Sequence, residues 1–482
     1  MEDQIPSKRI NLAWKFLIPL FGIWFLLYGS FSLSRPPLPD GVATIHAEMA
    51  REMVNRSDWT TPFVNGVPVR SSSRALDWSI AASYRIFGVA DWSARLPIAL
   101  CILALAIILF YFGRKLLGWN AAGFYAALFF LTIPTTFLTT RDLTSAPFLC
   151  LGTTLVAVVL WELLVVKRIQ GWNAIAISAT ACALILLTGG WPGVLLPLAI
   201  VLLCWIVRGT TDLARQAEWF LAGWAICAYL FAGIFERRPD AIIWLAPIPP
   251  LALLLGGWLT RNEAFSDQAI GRRIAWFVFA IGLLVSLSAA FFAIHGPLLF
   301  SVHHRSVVIN APSSRVPLLI TAIAFLAGVT GHLIYRLRGR IRIANCFLAG
   351  TLAGIIVAIQ VGMVLASPRY SSQILADAIR PELNPNDLVV IDGKYPDASS
   401  LAFYLERPVL IALPDRVGFN LIAPAVSTGA VALSQVWTGS ARVFLWTSID
   451  HPLATPGPGF VVANSGGKQI VSNQPNSAGA AF

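Results

Sequence analysis

Carboxylates and cations able to act together gather in the first third of the chain. Asp40 follows Pro39 a few residues beyond the first long apolar run, where a membrane span would meet water. A carboxylate there can take a proton from an attacking hydroxyl, or it can cap the helical run behind it. The residues alone leave both readings open. In that run Glu48 and Glu52 share a face with Arg51 beside them, and His46 points elsewhere on the same helix. A helix rich in Met, Ala, Glu and Arg lying on a membrane surface also accounts for these side chains without chemistry. Arg70, Arg74 and Arg95 flank the same loop, and Arg141 with Asp142 stands at the mouth of a later apolar segment. Guanidinium forks hold phosphate oxygens bidentately, so this set suits acid–base chemistry beside a bound phosphate. His303-His304 with Arg305 could ligate a metal only from an irregular loop, and a chance surface pair accounts for them better. Glu162, His295 and His332 lie near the ends of apolar runs with no evident partner, and Glu162 is placed to snorkel.

The elements that must position these residues are mostly membrane spans. Of 482 residues, 57% are hydrophobic and 12% charged, whereas a soluble domain carries about 25% charged residues. About eleven apolar runs are each long enough to cross a bilayer. They lie near 12–32, 96–113, 120–138, 146–166, 173–189, 191–207, 218–235, 241–259, 274–295, 316–335 and 343–366. The fifth and sixth are separated only by Thr188-Gly189-Gly190-Trp191-Pro192, as a re-entrant pair would be. The first run lacks a small-residue cleavage site, so no cleavable signal peptide is expected.

Basic residues set the orientation. With Lys8 and Arg9 cytoplasmic, Arg114-Lys115, Lys167-Arg168, Arg208, Arg215, Arg272-Arg273 and Arg336 to Arg342 fall on the same side. The opposite loops carry fewer: Arg141, Arg237-Arg238, Arg305 and Arg315. The loop at 34–95 and everything after residue 366 are then expected outside. The net charge of +11 is this topology signal and no warrant for nucleic-acid binding. All six cysteines fall within apolar runs, without metal-ligand spacing, and read as small packing residues.

Three parts are expected: a membrane domain over 1–366, its outer loop at 34–95, and a small α/β domain over 367–471. In the tail, Asp387 to Ile391, Val409 to Leu413 and Val443 to Trp446 read as strands, and Ser372 to Arg380 and Pro396 to Leu405 as helices. Their alternation predicts a partly parallel sheet. Ser472 to Phe482 is small and polar and reads as a disordered end.

Several motifs, in order, resemble the first outer loop of polytopic glycosyltransferases of the GT-C superfamily, which take sugars from polyprenyl-phosphate carriers. They are Pro39-Asp40-Gly41, Ile45 to Met53, Asp58-Trp59-Thr60-Thr61-Pro62, Val64-Asn65-Gly66, Ile86-Phe87-Gly88-Val89 and Ser93-Ala94-Arg95-Leu96-Pro97. The tail segments Tyr395 to Leu405, Trp437-Thr438-Gly439 and Arg442 to Thr447 are similar to the outer tail of bacterial members. The family includes the protein mannosyltransferases and the lipid A aminoarabinose transferases.

The resemblance implies a helical membrane protein of about eleven spans with a small outer α/β domain. It implies a polyprenyl-phosphate-linked sugar as donor and a lipid, glycan or protein as acceptor, at a bacterial inner membrane. Asp40 is then the expected base, Arg70 and Arg74 lie near the phosphate, and Glu48, Arg141 and Asp142 bind substrate. A divalent metal at the phosphate stays open. The chain departs from the family's pattern at Gly41, where relatives carry a second acid, and at Ser71, Ser72 and Arg74, where they carry an acid, a lysine and a proline. Past Arg141 only the adjacent Asp142 remains. Gly189 replaces a lysine, and the outer loop expected between Glu236 and Pro247 is short. These losses favour an alternative, a degenerate relative that binds a lipid-linked sugar or a partner protein without transfer. A transporter would instead show repeat symmetry, of which the chain offers little.

Overall fold

The computed structural model describes residues 6–71, 73–166, 172–189, 191–207, 213–235, 245–265, 268–295, 301–302, 305–306, 314–412, 433–450, 452 and 455–475. His303, His304, Ser72 and the basic residues Lys167, Arg168, Arg208, Arg237 and Arg238 lie outside them. The chain forms two compact units: Met1–Leu33, Ile98–Thr140 and Thr144–Met363 make the first, and Ser34–Pro97, Arg141–Leu143 and Val364–Phe482 the second.

The first unit is helical. Among the described residues six helices are long and apolar enough to cross a membrane: Trp14–Ser34, Asp91–Leu117, Ala146–Val165, Ile270–His295, Arg315–Leu337 and Ile341–Tyr370. A bent pair, Asn120–Thr132 with Pro134–Arg141, makes a seventh if it counts as one span, and Ile175–Gly189 and Leu195–Val207 are shorter apolar helices. The run at 120–138, expected as a continuous span, is thus broken by 49°. Pro134 explains the break, because its ring excludes the residue before it from helical geometry. Ile133 is accordingly extended, at φ −72 and ψ 127. Packing within this unit depends on small residues. A Cβ at Gly123 would sit 2.1 Å from the Phe110 carbonyl, so glycine is what lets these two helices touch. Some buried polar side chains bond to the backbone of other helices, as Tyr28 does in donating to the Leu131 carbonyl at 2.7 Å.

The second unit is built on a five-stranded sheet. Its strands run in the order Leu410–Ile411, Leu388–Ile391, Val443–Ser448, Lys468–Ser472, Phe460–Ser465. The first three are parallel and the last two add antiparallel. The parallel strands are those expected from the apolar runs of the tail. The closing hairpin was not legible there, since the burial along Phe460–Ser465 is mixed and that strand shows no clean alternation. The expected Pro396 to Leu405 helix divides into a 3-10 turn, Tyr395–Asp397, and an α-helix, Ser399–Leu405. The chain end is ordered further than expected. Ser472 completes a strand, and the Asn473 amide donates to the carbonyls of Trp437 and Ala441, both at 3.1 Å.

The segment at 34–95, expected as an outer loop, belongs to this same unit. Ile45 and Met49 of the helix Val42–Arg56, with Val64, share one apolar core with Leu375, Ile379, Val389, Ile391, Leu401, Phe444, Trp446 and Ile470. Ten of that helix's residues are buried, so it is an internal element of the unit and not a helix lying on a surface. The division expected between loop and tail is therefore replaced by one core, because an apolar helix face needs a partner and the sheet supplies it.

Candidate functional site

Asp40 is placed by a glycine. Gly41 has φ +98 and ψ −139, a conformation that L side chains rarely adopt, and it turns the chain sharply into the helix Val42–Arg56. Asp40 does not cap that helix, whose N-cap residue is Gly41. Its carboxylate instead accepts four hydrogen bonds from elsewhere in the unit. Oδ1 receives the Ser400 backbone N–H at 2.8 Å and the Ser400 hydroxyl at 2.5 Å. Oδ2 receives the Lys468 ammonium at 2.7 Å and the Ser372 hydroxyl at 3.3 Å. Burial pushes the Asp40 carboxyl above its ordinary value, opposed by Lys468 and then by Ser400.

A second polar cluster lies one helical turn away. Tyr404, four residues after Ser400 on the helix Ser399–Leu405, shares its face. Its hydroxyl accepts the Leu38 N–H at 2.7 Å and donates to Asp91 at 2.9 Å. Asp91 and the fully buried Arg95 stand one turn apart on their own helix, and Arg95 also carries an attraction to Asp142. Arg141 is buried and donates to the Arg35 carbonyl at 3.2 Å. Leu143, next in line, takes the left-handed conformation at φ 45. A buried leucine held there marks a backbone shaped by its surroundings at local cost. Among the described residues the Asp142 carboxylate accepts no hydrogen bond. Burial raises its pKa against the pull of Arg141 and then Arg95.

The remaining expected site residues stand apart. Glu48 is buried and pairs with Arg51 at 2.7 Å, and Arg51 also donates to the Phe403 carbonyl at 2.8 Å and covers the Phe403 ring. Burial raises the Glu48 pKa against this arginine. The pair lies within the helix Val42–Arg56, and it is Arg51, through Phe403, that ties this helix to the unit's interior, while the second Glu48 oxygen is buried without a hydrogen-bond partner among the described residues. Arg70 and Arg74 are exposed, and neither makes an ion pair among the described residues. His46 is engaged by Asp77 through Nδ1 at 2.6 Å, and Ser71 bonds the other Asp77 oxygen. Among the described residues no three His, Cys, Asp or Glu side chains stand together as metal ligands.

Asp91, Tyr404 and Lys468 were not singled out by the sequence. The spacing of Asp91 and Arg95 offered a signal for the first. Lys468 offered none, being 428 residues from its partner.

Residues 73–235 match the family described as dolichyl-phosphate-mannose-protein mannosyltransferase. The undecaprenyl phosphate-alpha-4-amino-4-deoxy-L-arabinose arabinosyl transferase of Aeromonas hydrophila is 25% identical over 286 residues, covering 57% of this chain and 48% of its own length. Its counterpart in Aeromonas salmonicida is 25% identical over 287 residues, with the same coverage. The match therefore spans about half the length of these curated relatives. Among solved structures, ArnT from Cupriavidus metallidurans in the apo state superposes with a TM-score of 0.74 at 18% identity, covering 97% of this chain and 99% of that one. The same protein bound to undecaprenyl phosphate gives 0.75 at 18% identity, covering 99% and 100%. The likeness establishes the fold over nearly the whole chain.

Proposed function

We propose that this chain is a member of the GT-C superfamily of polytopic membrane glycosyltransferases and moves a sugar from a polyprenyl-phosphate carrier to a hydroxyl of a lipid, glycan or protein acceptor, a reading supported by the family match and the arabinosyl transferase relatives. The reaction takes place on the outer face of a bacterial inner membrane. The acceptor oxygen attacks the anomeric carbon as a carboxylate takes its proton. The bond from that carbon to the phosphate oxygen breaks, its electron pair leaves with the polyprenyl phosphate, and the anomeric configuration inverts.

The observation that carries this reading is the shared face of the helix Ser399–Leu405. Ser400 on that face binds Asp40, and Tyr404 binds the Asp91 end of the cluster that contains Arg95, Arg141 and Asp142. A carboxylate able to act as base is thereby tied through one short helix to a cluster that holds buried guanidinium groups suited to a phosphate. Asp40 is assigned as the base, with Arg141 and Asp142 at the substrate. Arg70 and Arg74 are exposed and open to an incoming anion, and Glu48, with one carboxylate oxygen buried and unpartnered among the described residues, is assigned to substrate binding.

The purified protein in lipid, given labelled polyprenyl-phosphate sugars from host membranes, is expected to release free polyprenyl phosphate. Asp40→Asn is expected to lower that release by about 100- to 10,000-fold, the usual range for losing a positioned base. Release that persists in the variant would move the base elsewhere, and Asp142, whose carboxylate is uncommitted, is next in line.

One observation favours the second reading, a relative that binds without transferring. Asp40 is held by four donors, one of them a full positive charge, and a carboxylate so occupied is a poor base. Label that stays bound to the protein with no release would establish that reading.

A further inference from the structure

Lys468 occupies a position that neither the family resemblance nor the motifs of the outer loop assign. It begins the strand Lys468–Ser472, directly after a turn at Gly466 and Gly467, which have φ +61 and +86. A Cβ on Gly466 would meet the Pro368 carbonyl at 2.0 Å, so the turn lies against the backbone there and the root of Lys468 is fixed. Its four-carbon stem is joined by rotatable single bonds. The ammonium has three N–H donors, and among the described residues its one bond is to Asp40. It is also the one charged donor of the four that hold Asp40, the others being hydroxyls and a backbone amide.

This arrangement has a chemical consequence. A base must offer a lone pair to the acceptor hydroxyl, and Oδ2 of Asp40 cannot do so while the ammonium sits on it. A phosphate on the donor is the group best able to draw that ammonium away, since it offers more negative charge and more acceptor oxygens than one carboxylate.

We propose that Lys468 is the phosphate-binding cation for the lipid-linked donor, held on Asp40 until the donor arrives. When its ammonium passes from Asp40 to the donor phosphate, positive charge reaches the leaving group and Oδ2 of Asp40 is opened for the acceptor proton. The chain lacks the lysine that relatives carry at the position of Gly189 and in the segment before Trp78; the outer sheet then supplies a cation from the far end of the sequence. This inference rests on the donor reading above.

The test measures binding rather than turnover, on the full chain in lipid nanodiscs, with a polyprenyl phosphate and the matching polyprenol as probes. Wild type is expected to prefer the phosphate. Lys468→Gln is expected to weaken the phosphate probe by about 10- to 100-fold, the scale of one charge-assisted bond, and to leave polyprenol unchanged. Lys468→Arg is expected to retain the preference, and Asp40→Asn to bind the phosphate as tightly as wild type or more tightly. Equal binding of the phosphate by wild type and Lys468→Gln would overturn the role of Lys468 while leaving the donor reading intact. Parallel loss of both probes in Lys468→Gln would overturn it as well, assigning the lysine to structure. A wild type that binds both probes alike would overturn the donor reading and this inference with it.

Discussion

At the scale of single residues, burial and charge act against each other at Asp40. Burial lifts its carboxyl pKa, and the pairing with Lys468 only partly opposes this. A base works in its ionised form, so the acid limb of a pH–rate profile should lie above the ordinary carboxylate value of about 4. Lys468→Gln removes the opposing charge and is expected to move that limb further up; a limb that stays put would mean that Asp40 is not the titrating base. Asp142 carries the matching expectation for stability. Its folded pKa is raised, so its protonated form favours the folded state, and that contribution is lost as pH rises through the folded value. Asp142→Asn cannot ionise, so its unfolding temperature should equal or exceed that of wild type at pH 7, with the difference closing below pH 4. Gly41 shows how one backbone angle limits the chemistry. A second acid next to Asp40 would need a side chain at φ +98, at a cost of about 1–3 kcal/mol. Gly41→Glu is therefore expected to destabilise the protein without raising activity, measurable by thermal unfolding beside the label-release assay.

At the scale of elements, the helix Ser399–Leu405 is the clamp of the site. Ser399 bonds the Gly41 N–H and the Thr44 hydroxyl, Ser400 bonds Asp40, Phe403 receives Arg51, and Tyr404 joins Leu38 to Asp91. Seven residues are too few to form a stable helix alone, so its geometry comes from these contacts and from the core beneath. Tyr404→Phe would leave a half-buried carboxylate and a buried amide short of a partner, and should cost about 1–3 kcal/mol. Ile45→Ala on the opposing helix should cost about 2–5 kcal/mol by leaving a cavity against the sheet. Both follow from denaturant or thermal unfolding, and Ile45→Ala should also make the loop at 34–97 more open to protease.

At the scale of the whole molecule, the cysteines provide a test of orientation. The native six all lie outside the outer loop and tail, so a membrane-impermeant thiol reagent should label intact cells only through an introduced residue. Arg70→Cys is exposed in the second unit and is expected to label from outside; labelling that requires permeabilised membranes would reverse the orientation derived from the basic loops.

The long apolar helices and the parallel strands of the tail were written in local composition. A bilayer demands about 20 consecutive apolar residues, and a buried strand demands a short apolar run, so both signals sit within one stretch of chain. The candidate acids and arginines were legible in the same way, as residue types beside a span end. What each of them does was not, because a carboxylate's role depends on which groups face it. Tertiary structure brought Lys468, Ser400 and Ser372 onto Asp40, joined Arg51 to the Phe403 carbonyl, and merged the loop and the tail into one core. Each partner of Asp40 lies more than 300 residues away in sequence. Only the sheet, by burying the apolar face of the helix that follows Asp40, sets the distances over which charges and hydrogen bonds act.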